Sequence, residues 1–101
     1  MRHADAALRP EETLLSGEWI RCGVSVVADD TCKRIEALIS GALSHIANDS
    51  SGWYSLYRDP TDGRFWERYF PRGEMHGGGP PALRNVSAQQ ASAKYGVPTT
   101  P

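Results

Sequence analysis

The residues of this chain that are best suited to chemistry lie in one loop-rich segment. Glu74 and His76 stand two positions apart, directly before the only run of three glycines. A carboxylate and an imidazole could exchange a proton or share a metal ion if Asp59 or Asp62 joined them. The spacing does not require such a site, because a loop histidine that is hydrogen-bonded to the backbone also explains His76.

The letters HGGG at positions 76–79 resemble the oxyanion loop of some lipases. Such an enzyme also needs a nucleophile in a Gly-x-Ser-x-Gly motif, and the sequence contains no such motif. A loop stiffened by Pro80 and Pro81 is therefore the better interpretation. A small hydrolase that uses Glu74 and His76 is kept as an alternative, and no catalytic, cofactor-binding or metal-binding residue is predicted.

A turn sequence, Asp59-Pro60-Thr61-Asp62-Gly63, separates the aromatic runs WYSLYR and RFWERYF. This pattern predicts a β-hairpin followed by a rigid loop of glycine and proline. If Arg58 pairs with Arg64 across the turn, Leu56 lies opposite Trp66 and can contact a helix. A shift of one residue would exchange the two faces of the hairpin.

Seven of the nine aromatic residues fall between Gly52 and Pro81. Trp53 and Trp66 are expected in the core or at its edge. If one sheet face stayed open, aromatic residues interleaved with arginine at 58, 64 and 68 would resemble a protein-binding hot spot. The same face could stack single-stranded RNA, but the formal net charge of -1 argues against a nucleic-acid partner.

Apolar residues recur at spacings of three and four from Ile35 to Ala47. This spacing predicts an amphipathic helix, and Asp29 or Asp30 is suited to begin it. Residues 17–28 are rich in β-branched and aromatic types and predict an early strand. Residues 87–96 combine an N-cap serine, an alanine-rich stretch and a final glycine, which predicts a short C-terminal helix.

These elements predict an α+β fold. A small antiparallel sheet, made of the early strand plus the β-hairpin, is expected to pack on one amphipathic helix, with the short helix at the C-terminus. Residues 14–96 are predicted to form a single domain. Residues 1–13 are expected to be a flexible N-terminal arm and residues 97–101 a flexible tail.

Composition narrows the possible functions. The chain has 101 residues, of which 40% are hydrophobic, which suffices for one modest core but leaves little room for a deep cofactor cleft. Cys22 and Cys32 lack metal-ligand spacing and predict neither a zinc site nor a disulfide framework. No apolar run approaches the roughly 18 residues of a membrane span, and the start lacks the apolar stretch of a secretory signal. A cytoplasmic protein without a cofactor is expected.

Several linked motifs are similar to a known family: Arg34-Ile35 with Leu38, GW at 52–53, LYRDPTDGRFWE at 56–67 and EMHGGGPP at 74–81. Together they resemble the immunity protein 27 family of bacterial polymorphic toxin systems, over residues 15–96. The resemblance implies a small cytoplasmic protein that is encoded beside a toxin, binds the catalytic domain of that toxin and blocks it. It implies neither catalysis nor a cofactor.

We therefore expect a stoichiometric inhibitor whose partner is a cognate toxin, with no nucleic acid and no membrane involved. The hairpin turn and the loop at 74–81 are the predicted contact surface. Standard interfaces bury about 800 Å² per partner, which these loops and the surface around them could provide. The candidate partner-binding residues are Asp59, Asp62, Arg64, Glu74 and His76.

Overall fold

Most strands of this chain form one antiparallel sheet. The computed structural model describes residues 8–22, 25–71 and 79–96. The strands in this part of the chain are β1 (Leu14–Ser16), β2 (Trp19–Cys22), β3 (Ser25–Ala28), β4 (Ser44–Asn48), β5 (Ser55–Arg58), β6 (Phe65–Tyr69) and β7 (Ala82–Val86). Five of them pair antiparallel in the order β1-β7-β6-β5-β4.

The early segment forms a small sheet of its own. β2 and β3 pair only with each other, with Trp19 opposite Ala28. The prediction of one early strand beside the hairpin was therefore wrong. The edge of the main sheet is formed instead by β1, where Leu15 pairs with Leu83 and joins the core. A strand of three residues with one buried leucine is too short to be recognised from alternation.

The first helix begins as predicted but ends early. In α1 (Asp30–Ala37), the carboxylate of the N-cap residue Asp29 accepts a hydrogen bond of 2.8 Å from the backbone N–H of Cys32. The helix continues into a π-helical turn at Leu38–Ala42, and Leu43 then adopts extended dihedrals. The prediction that the helix continues to Ala47 was wrong.

The residues after that turn form β4 because β5 offers their backbone a row of hydrogen-bond partners. Ile46 has the helical spacing but is 39% exposed, so its position in the pattern did not mark a core face. The pairing of β4 with β5 shifts between His45 and Ala47, as at a β-bulge.

The second helix confirms the prediction from sequence. α2 (Ala88–Tyr95) is N-capped by Ser87 in a capping box with Gln90, in which each side chain bonds the backbone N–H of the other residue. Gly96 ends the helix with φ 67°, a left-handed conformation that glycine adopts readily.

The hairpin of β5 and β6 is present, but its register differs by one residue from the predicted one. Arg58 pairs with Phe65 and Tyr57 pairs with Trp66. The loop therefore has six residues, closed by a hydrogen bond of 2.9 Å from the N–H of Asp59 to the carbonyl of Arg64. Tyr57, not Leu56, shares a face with Trp66.

Each face of the main sheet is covered by a helix. The α1 side holds the larger core, made of Leu15, Ile35, Leu38, Leu43, Tyr57, Trp66 and Leu83. The opposite face packs Leu56 and Phe65 against Ala91 of α2. The α+β fold with an amphipathic helix and a short C-terminal helix is thus confirmed. The main sheet has two strands more than the sequence predicts, and α2 packs on its second face.

Backbone hydrogen bonds join the chain on both sides of β1 to the segment that contains β7. The carbonyl of Thr13 accepts from the N–H of Asn85 at 2.9 Å, and the N–H of Gly17 donates to the carbonyl of Pro81 at 2.9 Å. A Cβ at Gly17 would collide with the sulfur of Cys32. Glycine is therefore required where the chain leaves β1.

Candidate functional site

Asp59, one of the predicted contact residues, shapes the turn between β5 and β6. Only 5% of the residue is exposed. Its carboxylate accepts hydrogen bonds from the backbone N–H of Thr61 at 2.9 Å and from the Thr61 hydroxyl. Its carbonyl accepts from the N–H of Gly63 at 2.7 Å. Asp59 therefore holds the loop in shape through Oδ1, and its contact with a toxin stays a prediction.

Arg64 joins this turn to the N-terminal segment. Its Nε lies 2.7 Å from the carboxylate of Asp62, and its other nitrogens donate to the carbonyls of Glu12 at 2.7 Å and Arg9 at 3.0 Å. Its guanidinium carbon lies 4.8 Å from the centroid of the Trp66 ring. Asp62 has 37% of its side chain exposed, so it is the predicted turn residue most open to a partner.

Glu74 and His76 lie outside the described residues, and so do Gly77 and Gly78. The hydrolase alternative and these two contact residues stay predictions. The description resumes at Gly79, which is buried and has φ 76°. The end of the glycine loop is therefore packed into the domain in a conformation that favours glycine.

The end of the hairpin opposite the turn carries four aromatic side chains, Trp53, Tyr54, Tyr69 and Phe70, which we call the aromatic cluster. Trp53 and Phe70 pack edge to face with ring centroids 5.8 Å apart, and Tyr54 and Tyr69 stack at 6.4 Å. Trp53 is 50% exposed, whereas Trp66 is fully buried. Trp66 is thus the core tryptophan expected from the sequence, and Trp53 is a surface residue.

A tight loop holds Trp53 in place. The carboxylate of Asp49 accepts hydrogen bonds from the Ser51 hydroxyl at 2.8 Å and from the N–H groups of Gly52 at 3.0 Å and Tyr54 at 3.3 Å. The N–H of Trp53 donates to the Ser51 oxygen at 3.1 Å. Gly52 has φ 81°, which only glycine adopts without strain. The indole is therefore carried by an ordered turn.

A buried carboxylate lies on the α2 side of the aromatic cluster. Glu67 is 1% exposed. Its Oε2 accepts from the Tyr95 hydroxyl at 2.6 Å and lies 2.7 Å from Nζ of Lys94, and its Oε1 accepts from Nε of Arg84 at 2.8 Å. Burial raises the pKa of Glu67, but these hydrogen bonds outweigh burial and hold the pKa below its usual value. Burial and the bond to Glu67 raise the pKa of Tyr95, whose hydroxyl stays protonated.

Both cations of this network also cover tyrosine rings. Nζ of Lys94 lies 3.4 Å from the centroid of Tyr54, and the guanidinium carbon of Arg84 lies 4.3 Å from that of Tyr69. The network therefore attaches α2 to the aromatic cluster. Sequence reasoning missed this site, although a charged residue at 67, between Phe65 and Tyr69 on one strand face, was a usable signal.

Two clefts border this region. One of about 440 Å³ is lined by Ser51, Trp53, Tyr54 and Phe70. The other, of about 500 Å³, lies between the sheet and α2 and is lined in part by residues of the Glu67 network. A half-exposed tryptophan with tyrosine and arginine beside it has the composition typical of protein-binding hot spots.

Residues 8–22, 25–71 and 79–96 lack both a cluster of metal ligands and a membrane-spanning helix. No three histidine, cysteine, aspartate or glutamate side chains come together there as a possible set of metal ligands. No helix in these ranges is long and apolar enough to cross a membrane.

Residues 22–87 match the family model of immunity protein 27. The chain belongs to the immunity protein 27 family. Comparisons with curated proteins and with solved structures gave no match. Membership supports an immunity function for this chain and implies a toxin as its partner. The segment that matches the immunity protein family contains the β5–β6 turn and the aromatic cluster, whereas Lys94 and Tyr95 of α2 lie beyond it.

Proposed function

We propose that this immunity protein neutralises one cognate bacterial toxin by binding the catalytic domain of that toxin in a stoichiometric complex, without catalysis. The observation that carries the proposal is the family match over residues 22–87, which includes most of the main sheet. In this proposal the two proteins meet in the cytoplasm of the bacterium that encodes both.

The form of the domain supports inhibition by a preformed surface. The β4–β5 and β5–β6 loops are held by side-chain and backbone hydrogen bonds, so little entropy is lost when a partner docks on them. Among the residues predicted to contact the toxin, Asp62 offers an exposed carboxylate, and Glu74 and His76 remain proposed contacts. Asp59 and Arg64 are proposed contacts too, and they also shape the turn that presents Asp62.

Titration of toxin activity tests this proposal. The toxin encoded beside the gene is mixed with increasing amounts of the immunity protein, and the remaining toxin activity is measured. We expect activity to fall linearly and to vanish at one equivalent, and co-expression to rescue cells from that toxin. A toxin from an unrelated locus is the control and should stay active.

Two results would contradict the proposal. Failure of the pure proteins to bind, together with failure to rescue cells, would remove the inhibitor function. Loss of toxin activity at amounts far below one equivalent would show turnover, which is the behaviour of an enzyme such as the hydrolase alternative.

A further inference from the structure

Trp53 is a large apolar side chain that the fold leaves half exposed. It stands with Phe70 in the wall of the 440 Å³ cleft. Exposure of an indole does not stabilise a folded domain, whereas tryptophan is enriched among the residues that dominate binding energy. The hydrogen bonds around Asp49 fix this tryptophan before a partner arrives, which lowers the entropy lost on binding.

Arg68 is a cation that lies over Phe70 in the wall of this cleft. Its guanidinium carbon lies 5.3 Å from the centroid of Phe70, and its Nη2 donates to the Ser55 hydroxyl at 3.2 Å. Arg64 and Arg84 each pair with a carboxylate. For Arg68 no carboxylate lies within ion-pair distance in the part of the chain that the structure describes. Arg68 can therefore donate to a carboxylate that a partner brings.

The tyrosines of the aromatic cluster are already covered, which decides between two kinds of partner. Tyr54 and Tyr69 stack on each other, and Lys94 and Arg84 lie over their rings. Proteins that bind single-stranded RNA stack successive bases on several free rings, whereas Trp53 alone among the four rings of this cluster is exposed. The carboxylate of Asp49 in the neighbouring loop would also repel a phosphate backbone. The surface therefore fits a protein better than RNA.

We propose that Trp53, Phe70 and Arg68 form the surface on which the cognate toxin docks, and that the toxin segment seated there carries an acidic side chain next to an apolar one. The apolar side chain enters the cleft against Trp53, and the acidic one pairs with Arg68. This proposal rests on the inhibitor function proposed above. It places the main contact at the end of the hairpin away from Asp62, because the five residue steps from Phe65 to Phe70 along β6 span about 16 Å.

Two variants test the surface, each with a matched control. Trp53→Ala should weaken the affinity for the toxin domain encoded beside the gene by about 30-fold, the size of a hot-spot effect. Trp19→Ala, at a tryptophan that is 38% exposed in the separate β2–β3 sheet, should leave affinity unchanged.

Arg68→Glu should weaken affinity by about 10-fold or more, because it places like charges together. Lys33→Glu, at an exposed lysine of α1, should change affinity less than about twofold. Isothermal titration calorimetry measures each affinity, and circular dichroism and thermal unfolding confirm that each variant is folded. If Trp53→Ala is unfolded, the docking surface is tested by comparing the toxin affinity of Arg68→Glu with that of Lys33→Glu.

The outcomes separate this proposal from the one on which it rests. If wild-type protein binds and inhibits the toxin while Trp53→Ala and Arg68→Glu bind equally well, the inhibitor function stands and the docking surface is refuted. If Asp62→Ala weakens binding instead, the toxin contacts the turn and the surface is again refuted.

The RNA interpretation would replace the docking proposal if wild-type protein bound a single-stranded oligonucleotide and Trp53→Ala lost only that binding. If wild-type protein does not bind the toxin, both proposals fail.

Discussion

The ion pair between Glu12 and Arg34 allows the contribution of the N-terminal segment to stability to be measured. The carboxylate of Glu12 accepts hydrogen bonds of 2.6 and 2.7 Å from the guanidinium of Arg34, and 14% of its side chain is exposed. These bonds hold the pKa of Glu12 at about 2, below the usual 4.5. Glu12→Gln keeps the shape of the side chain and removes its charge.

The lowered pKa sets the size of the expected effect. A shift from 4.5 to about 2 corresponds to an upper limit of roughly 3 to 4 kcal/mol of unfolding free energy. Because solvent screens charges near the surface, we expect Glu12→Gln to lower the free energy of unfolding by about 1–2 kcal/mol at pH 7. The folded carboxylate binds its proton less readily than the unfolded one. The stabilisation is therefore complete above about pH 4.5 and is lost as the pH falls toward 2.

Urea unfolding followed by tryptophan fluorescence measures this effect at pH 7, 4 and 3. Glu11→Gln is the matched control, because 72% of the Glu11 side chain is exposed and its pair with Arg9 spans 3.4 Å. Its effect should stay within about 0.5 kcal/mol at each pH. The reasoning is refuted if the two variants lose equal stability, or if the loss in Glu12→Gln is the same at pH 3 as at pH 7.

Two further predictions concern stability. Tyr95→Phe removes the hydroxyl that donates to buried Glu67, so it should lower the free energy of unfolding by about 1.5–2 kcal/mol. Urea unfolding measures this loss, and an unchanged unfolding midpoint would contradict the role of the network. Gly17→Ala places a Cβ against the sulfur of Cys32 and should cost about 1–3 kcal/mol in the same assay. Gly41→Ala is its control, because a Cβ there meets nothing within 4 Å, and equal losses in both variants would refute the steric reason.

The sequence predicts those elements whose signals are local. α2 carries its serine cap, its alanine-rich interior and its terminal glycine within ten residues, and each signal acts on its own backbone. The cap at Asp29 is local in the same sense. Residues 44–48 form a strand where their spacing predicts a helix. The reason is that they pair with β5, and this pairing depends on residues further along the chain.

Register and exposure are set by contacts that no local pattern contains. The turn closes with six residues because Asp59 and Gly63 bond across it, and this one-residue difference moves Tyr57 to the α1 side. Trp53 and Trp66 each lie in one of the two aromatic runs of the hairpin, and neither run shows which of them is buried. Their positions in the sheet decide this, because Trp53 lies before the first residue of β5 and Trp66 lies within β6, in the core on the α1 side.

The sequence indicates the residue types near the candidate site but not how they are brought together. The toxin contacts predicted at Asp59, Asp62 and Arg64 stay predictions, and two of these three residues also maintain the turn. A buried carboxylate is stable only when several donors converge on it, and the donors of Glu67 come from β7 and α2. Such convergence becomes visible only when the strand order is known.

The two outer strands of the sheet have a consequence for self-association. An open edge can template the backbone of another molecule and so begin an aggregate. One border of this sheet is β1, with three residues, and the other is β4, whose ladder is interrupted between His45 and Ala47. Neither border offers a long, regular template, so the five-stranded sheet is protected from pairing strand upon strand with copies of itself.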